Sequence, residues 1–123
     1  MEPITEQRQV PGPVVYGYLL LTAVCRARRA ALSGALAGYC EQHELTLGAV
    51  FTDIGDDALQ APGFTGLLDA LATDSSYGMV IPARAHLGHG RAARSRLAVI
   101  GDTGRRLMVV RGKPVPAGAR SPR

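Results

Sequence analysis

Arginine side chains carry almost all of the positive charge of this chain, and their guanidinium groups are suited to phosphate. The 123 residues have a net charge of +4 and an isoelectric point of about 9.6, and Lys113 is the one lysine. Three clusters hold most of the charge: Arg26, Arg28 and Arg29; Arg84, Arg91, Arg94 and Arg96; Arg105, Arg106 and Arg111. A guanidinium presents a planar fork of N–H donors that matches phosphate oxygens. The clusters predict weak, sequence-independent DNA binding through Arg84, Arg91, Arg94 and Arg96; alternatively, they only cover the solvent faces of helices.

Hydroxyl, carboxylate and imidazole groups follow the predicted strands. Thr22 comes after the apolar run of residues 14–21, Asp53 after residues 46–52, and His86 and His89 lie in a predicted loop, 83–90. Sites in parallel α/β sheets form beyond the carboxyl ends of the strands, so we expect these groups to converge there. The His-x-x-His spacing, with Asp53 as a third ligand, also admits a metal site. We expect neither a metal nor a cofactor, because the spacing does not guarantee a third ligand.

The hydrophobic pattern predicts the order β-α-β-α-β-α-β. Strands are predicted over residues 14–21, 46–52, 77–82 and 107–110, and helices over 26–44, from 62 to about 71, and over 91–102. The apolar helix positions are Leu32, Leu36, Tyr39, Cys40 and His43; Phe64, Leu67, Leu68 and Leu71; and Ala93, Leu97 and Ile100. Such alternation is typical of an α/β domain with three layers, in which helices cover both faces of a mainly parallel sheet. The first strand is expected to be central, and the second is expected to direct Leu47, Ala49 and Phe51 to one face.

The predicted domain organisation is one globular unit between two irregular ends. Residues 1–13 are expected to form a flexible arm, 14–111 the domain, and 112–123 a disordered basic tail containing Arg120 and Arg123. Cys25 and Cys40 would lie about 22 Å apart at the two ends of the first helix, too far for a disulfide. The longest apolar run, residues 14–25, is too short to span a bilayer, and the first residues lack a cationic leader, so a cytoplasmic location is expected.

Four sequence blocks, in their order and spacing, resemble the catalytic domain of the serine recombinases, the resolvase/invertase family. The blocks are residues 15–22, 39–41, 50–53 and 61–71, and the resemblance extends over about residues 14–111. The family motif Tyr-x-Arg-x-Ser aligns with Tyr18, Leu20 and Thr22. The resemblance therefore implies a resolvase-like fold in which the phosphate-binding arginine has become Leu20 and the nucleophilic serine has become Thr22.

The remaining family positions also depart from the catalytic pattern. Asp53 aligns with an acidic residue that helps to orient arginines, although it could equally cap a turn. Ala61 stands where Arg-Pro-Gly-Phe would place an arginine. The family's Asp-Arg-Leu-Gly-Arg aligns with residues 85–89, where Ala85 replaces the aspartate and His86 and His89 replace the arginines. Losing one preorganised donor typically adds about 2.7–4 kcal/mol to a barrier, so losing about four arginines should abolish DNA cleavage.

The resulting hypothesis is a degenerate serine-recombinase-like domain without catalytic activity. It would act as a small regulatory or interaction protein associated with DNA, with a protein partner or with a second copy of itself. The prolines and glycines after Arg111 lead us to expect neither the family's long dimer-forming helix nor its separate DNA-binding domain. Two alternatives remain: a strand-exchange subunit that uses Thr22 as its nucleophile, and a binder of small phosphate ligands.

Overall fold

The structure, a computed structural model, describes residues 12–55 and 61–111. Four strands and three α-helices alternate along the chain: β1 (Val14–Leu21), α1 (Arg26–Gln42), β2 (Thr46–Ile54), α2 (Pro62–Leu71), β3 (Ser76–Ile81), α3 (Gly90–Thr103) and β4 (Arg106–Val109). The predicted loop over 83–90 contains a short 3₁₀ helix, Arg84–Leu87. Most of the predicted arm and tail, and residues 56–60 of the predicted loop, lie outside the described residues.

All strand pairs in the sheet are parallel, in the order β2-β1-β3-β4. The continuous apolar character of β1 fits its internal position, because both of its faces are covered. On one face Val15, Leu19 and Leu21 pack with the α1 side chains Leu32, Leu36 and Cys40. On the other face Tyr18 packs with side chains of α2 and α3, among them Phe64, Leu67, Leu71 and Ile100. The predicted three-layer α/β architecture with a central first strand is confirmed.

Strand β2 departs from the predicted alternation. Its register with β1 shifts between Val15 and Tyr16, so that Leu47 pairs with Val15 while Ala49 pairs with Tyr16 and Gly48 is skipped. An extra residue in one strand reverses the direction of the side chains that follow it. Leu47 therefore packs on the α1 face and Phe51 on the α2 face, with Ala49 exposed. The prediction that these three side chains share one face is wrong.

No helix within residues 12–55 and 61–111 has the length and apolar character needed to cross a membrane.

Candidate functional site

A cleft of about 330 Å³ opens at the carboxyl edge of the sheet. Its walls come from the end of β1, the first turn of α1, the 3₁₀ helix and the N-terminal half of α3. The polar side chains that line it are Thr22, Arg28, His86, His89 and Arg96. Thr22 and both histidines were expected to meet here, and the structure brings them together.

The His86 side chain is held against the backbone of β1. The residue is 6% exposed, and its Nδ1 accepts a hydrogen bond from the Leu20 N–H at 2.9 Å. A ring nitrogen that accepts a hydrogen bond carries no proton, so the neutral ring has its proton on Nε2. Burial lowers the pKa of His86, and the positive charges of Arg28 and Arg111 lower it further. His86 is therefore a neutral donor at the cleft.

Two arginines at positions outside the family motif reach the cleft. Arg28 lies in the first turn of α1, and Arg96 lies on α3 with 5% of its surface exposed. The Arg96 guanidinium stacks 5.1 Å from the centre of the Phe64 ring, and its Nη1 donates to the Leu87 carbonyl at 3.4 Å. The sequence assigned Arg96 to an exposed DNA-binding surface; its burial differs from that expectation.

The helical spacing contains a signal for both arginines. Arg28 lies four residues before Leu32 and Arg96 four residues before Ile100, and residues four apart share a helix face. Leu32 and Ile100 are both buried against the sheet. Each arginine therefore extends an apolar face toward the carboxyl edge, where a charged end can reach solvent while its stem is packed.

Asp53 was expected at the same site, but it is not among the residues that line the cleft, and its carboxylate is bonded to other parts of the fold. Its carboxylate accepts hydrogen bonds from the Gly63 N–H at 2.7 Å, the Phe64 N–H at 2.9 Å and the Tyr18 hydroxyl at 2.6 Å. The first two bonds cap α2, whose own N-cap residue Ala61 makes no side-chain cap. Burial and the bond to Asp53 raise the pKa of the Tyr18 hydroxyl well above its usual value. Both side chains consolidate the core beneath the cleft.

The remaining predicted positions lie in the cleft, against the hydrophobic core and on the outer surface. Ala85 lines the cleft beside His86, whereas Ala61 packs against the hydrophobic core on the α2 face. The side chains of Arg84, Arg91 and Arg94 are exposed and are not among the cleft-lining residues. These three arginines form one set near the N-terminus of α3, termed here the outer arginines.

The His-x-x-His pair lacks the companions that a metal site needs. Among residues 12–55 and 61–111, no three His, Cys, Asp or Glu side chains lie close enough to hold an ion. Within that part of the chain the Nδ1 of His86 is used by Leu20, and the Asp53 oxygens are used by α2 and Tyr18.

Comparison with solved structures gives a match to the crystal structure of the C-terminal catalytic domain of ISC1926 TnpA, an IS607-like serine recombinase. The TM-score is 0.70 at 16% sequence identity, and the match covers 81% of this chain and 69% of that one. This chain has the fold of a serine recombinase catalytic domain. No family model and no curated protein matches its sequence.

The cleft lies at the end of β1, where Leu20 and Thr22 line it together with the two histidines. Its cations, Arg28 and Arg96, come from helices on opposite faces of the sheet.

Proposed function

We propose that this protein is a non-catalytic serine-recombinase-like domain that acts as a small regulatory or interaction protein associated with DNA. The observation that carries the proposal is the hydrogen bond from the Leu20 N–H to His86 Nδ1. This bond holds the His86 ring, which aligns with a family arginine, against the backbone of β1. A neutral ring in this state cannot supply the charge that a phosphoryl-transfer transition state requires.

The same hydrogen bond prevents His86 from acting as a base for the Thr22 hydroxyl. For Thr22 to attack phosphorus, a base must remove its hydroxyl proton. The Nδ1 lone pair of His86 already accepts from Leu20, and its Nε2 already holds a proton. Both Asp53 oxygens accept from other groups. Neither buried acid–base group of this region is therefore available to Thr22.

The outer arginines support an association with DNA. Arg91 and Arg94 occupy the first turns of α3, where the positive end of the helix dipole adds to their charge. Arg84 is exposed on the preceding 3₁₀ helix. Exposed guanidinium groups grouped in this way bind phosphates without reading sequence.

A trapping assay on supercoiled plasmid DNA tests the proposal. The protein and its Thr22→Ser variant are both expected to form no covalent protein–DNA adduct, because in both chains the His86 Nδ1 and the Asp53 oxygens already accept other hydrogen bonds and cannot take the hydroxyl proton. A known active serine recombinase provides the positive control. An adduct that is formed by the unmodified chain and lost in Thr22→Val would overturn the proposal.

One observation favours the strand-exchange alternative. Thr22 is exposed at the end of β1 and shares its cleft with Arg28 and Arg96. If these arginines replace the aligned ones, Arg28→Gln should abolish whatever adduct the assay detects. The plasmid assay therefore separates the two functions.

A further inference from the structure

The cleft holds a positive charge that the described side chains do not neutralise. Arg28 and Arg96 both line it, and the charge of Arg111 also acts on the His86 ring from the end of β4. A guanidinium has five N–H donors. Within residues 12–55 and 61–111, Arg96 uses one of them, toward the Leu87 carbonyl. Its other N–H donors have no acceptor among the described residues, and the side chain lines the cleft, so they are available to a ligand there.

The His86 ring supplies a second donor. Its Nδ1 faces the backbone of β1, which leaves the Nε2–H as the donor on the ring's other side. Within the described part of the chain this N–H has no hydrogen-bond partner, and the ring lines the cleft. The Nε2–H is therefore a donor that a ligand in the cleft can use.

The N-terminus of α3 adds backbone donors to the same wall. The helix begins at Gly90 without a side-chain cap from His89, and Ala92 in its first turn lines the cleft. The first amides of a helix have no acceptor within the helix, and its dipole favours an anion. Thr22, which follows β1, also lines the cleft.

We propose that this cleft binds the terminal phosphate of a small phosphomonoester, such as a nucleoside monophosphate. Two guanidinium groups match the charge of a phosphomonoester, which is about −1.5 to −2 at neutral pH, better than the single charge of a phosphodiester. A volume of about 330 Å³ is at the lower end of the range for small-molecule sites. The depth of Arg96 favours a terminal phosphate, because an internal phosphodiester carries a sugar on each side and cannot descend to a buried side chain. The site goes beyond the proposed function and does not depend on it.

Calorimetric titration of the full chain at low ionic strength tests the proposal. Inorganic phosphate and adenosine 5′-monophosphate are the probes, and adenosine is the matched ligand without phosphate. Binding of adenosine 5′-monophosphate with a Kd below about 1 mM is expected, with none for adenosine. Absence of binding for both phosphate probes would overturn the proposal, and so would equal binding of adenosine.

Substitutions then test which residues hold the ligand. Arg28→Gln should weaken binding by about tenfold or more, since charge-assisted hydrogen bonds are among the stronger ones. Arg29→Gln removes the same charge from the next, exposed position of α1 and should leave the Kd unchanged. His86→Asn keeps an acceptor for the Leu20 N–H while removing the outer N–H, so it should weaken binding without unfolding the chain. Equal affinities for the Arg28 and Arg29 variants would contradict the assignment.

A 5′-phosphorylated end of DNA also carries a phosphomonoester, so DNA ends are tested in a separate experiment. Short duplexes with a 5′-phosphate or a 5′-hydroxyl should bind equally, because a duplex end is too wide for the cleft. Binding that requires the 5′-phosphate on DNA, with no response to adenosine 5′-monophosphate, would overturn the small-ligand proposal. These results are independent of the plasmid assay, so failure of this site and failure of the proposed function are distinguishable.

Discussion

The Nδ1 atom of His86 lies 2.9 Å from the Leu20 backbone nitrogen and accepts its hydrogen bond. The two residues are 66 positions apart in the sequence. The contact ties the 3₁₀ helix to β1 and fixes which ring nitrogen faces the cleft.

Protonation of His86 should destabilise the fold. Its pKa is lowered in the folded state, first by burial and then by the charges of Arg28 and Arg111, whereas in the unfolded chain it returns to about 6.5. Below about pH 6.5 the unfolded chain therefore binds the proton more readily, and the free energy of unfolding decreases as the pH falls. The decrease ends below the folded pKa, where both states are protonated.

Urea unfolding at several pH values between neutral and acidic measures this effect. His86→Asn should flatten the decrease in the free energy of unfolding, while His89→Asn at the exposed neighbouring position should retain it. A pH profile that is identical in the unmodified chain and in His86→Asn would be incompatible with the assigned ring state.

Replacing the Asp53 carboxylate should lower the free energy of unfolding more than removing any one of its hydrogen bonds. Asp53→Asn weakens the cap on α2 and the bond to Tyr18 together, so we expect a loss of about 1–3 kcal/mol in the free energy of unfolding. Tyr18→Phe should cost about 1 kcal/mol, and the double variant should cost less than the sum because the two share a bond. Asp69→Asn, exposed on α2, is the control and should stay within about 0.5 kcal/mol. Strict additivity in chemical denaturation would contradict the shared bond.

Adding a methyl group at Gly63 should separate α2 from β2. A Cβ there would lie 2.7 Å from the Thr52 carbonyl oxygen and 2.9 Å from Asp53 Oδ1. The helix would have to move away from its cap, and Gly63→Ala should therefore cost about 1–3 kcal/mol. Gly34 is exposed on α1, and a Cβ there would lie within 4 Å of no other atom. Gly34→Ala should therefore stabilise the chain by about 0.5–1 kcal/mol. The Tm should thus fall in the Gly63 variant and rise in the Gly34 variant. Shifts of Tm with the same sign would refute the close approach of Gly63 to β2.

DNA binding should depend on the outer arginines and on salt. Since neutralised phosphates release counterions, the affinity should fall steeply as the salt concentration rises. Replacing Arg91 and Arg94 by glutamine should reduce the slope of log K against log salt by about 2, one unit for each lost phosphate contact. Fluorescence anisotropy with two unrelated duplexes measures the slope.

Arg106 provides the control for that titration. It begins β4 at the amino edge of the sheet, away from α3's N-terminus, and lies over the Tyr77 ring. Arg106→Gln should leave the salt slope unchanged. If DNA binding is undetectable at low salt, a protein-partner role replaces the DNA association.

The sequence by itself determined the alternation of strands and helices. The apolar run of β1 and the i, i+4 spacing of Leu32, Leu36 and Cys40 are local signals, because periodicity follows from the geometry of each element alone. Element ends shifted by one or two residues, as for the first helix, which ends at Gln42 and not at residue 44. The convergence of Thr22, His86 and His89 was also predictable, since parallel strands bring their carboxyl ends to one edge.

Tertiary structure decided which groups occupy that edge. Arg28 and Arg96 belong to helices on opposite faces of the sheet, and only the packing of both helices brings their side chains into one cleft. The cap on α2 comes from Asp53 of β2, ten residues before Gly63, and the reversal of Leu47 and Phe51 results from a bulge at Gly48. Local spacing indicates on which face of its helix each arginine lies, but the meeting of the two arginines, the cap and the reversal depend on register and on the docking of separate elements.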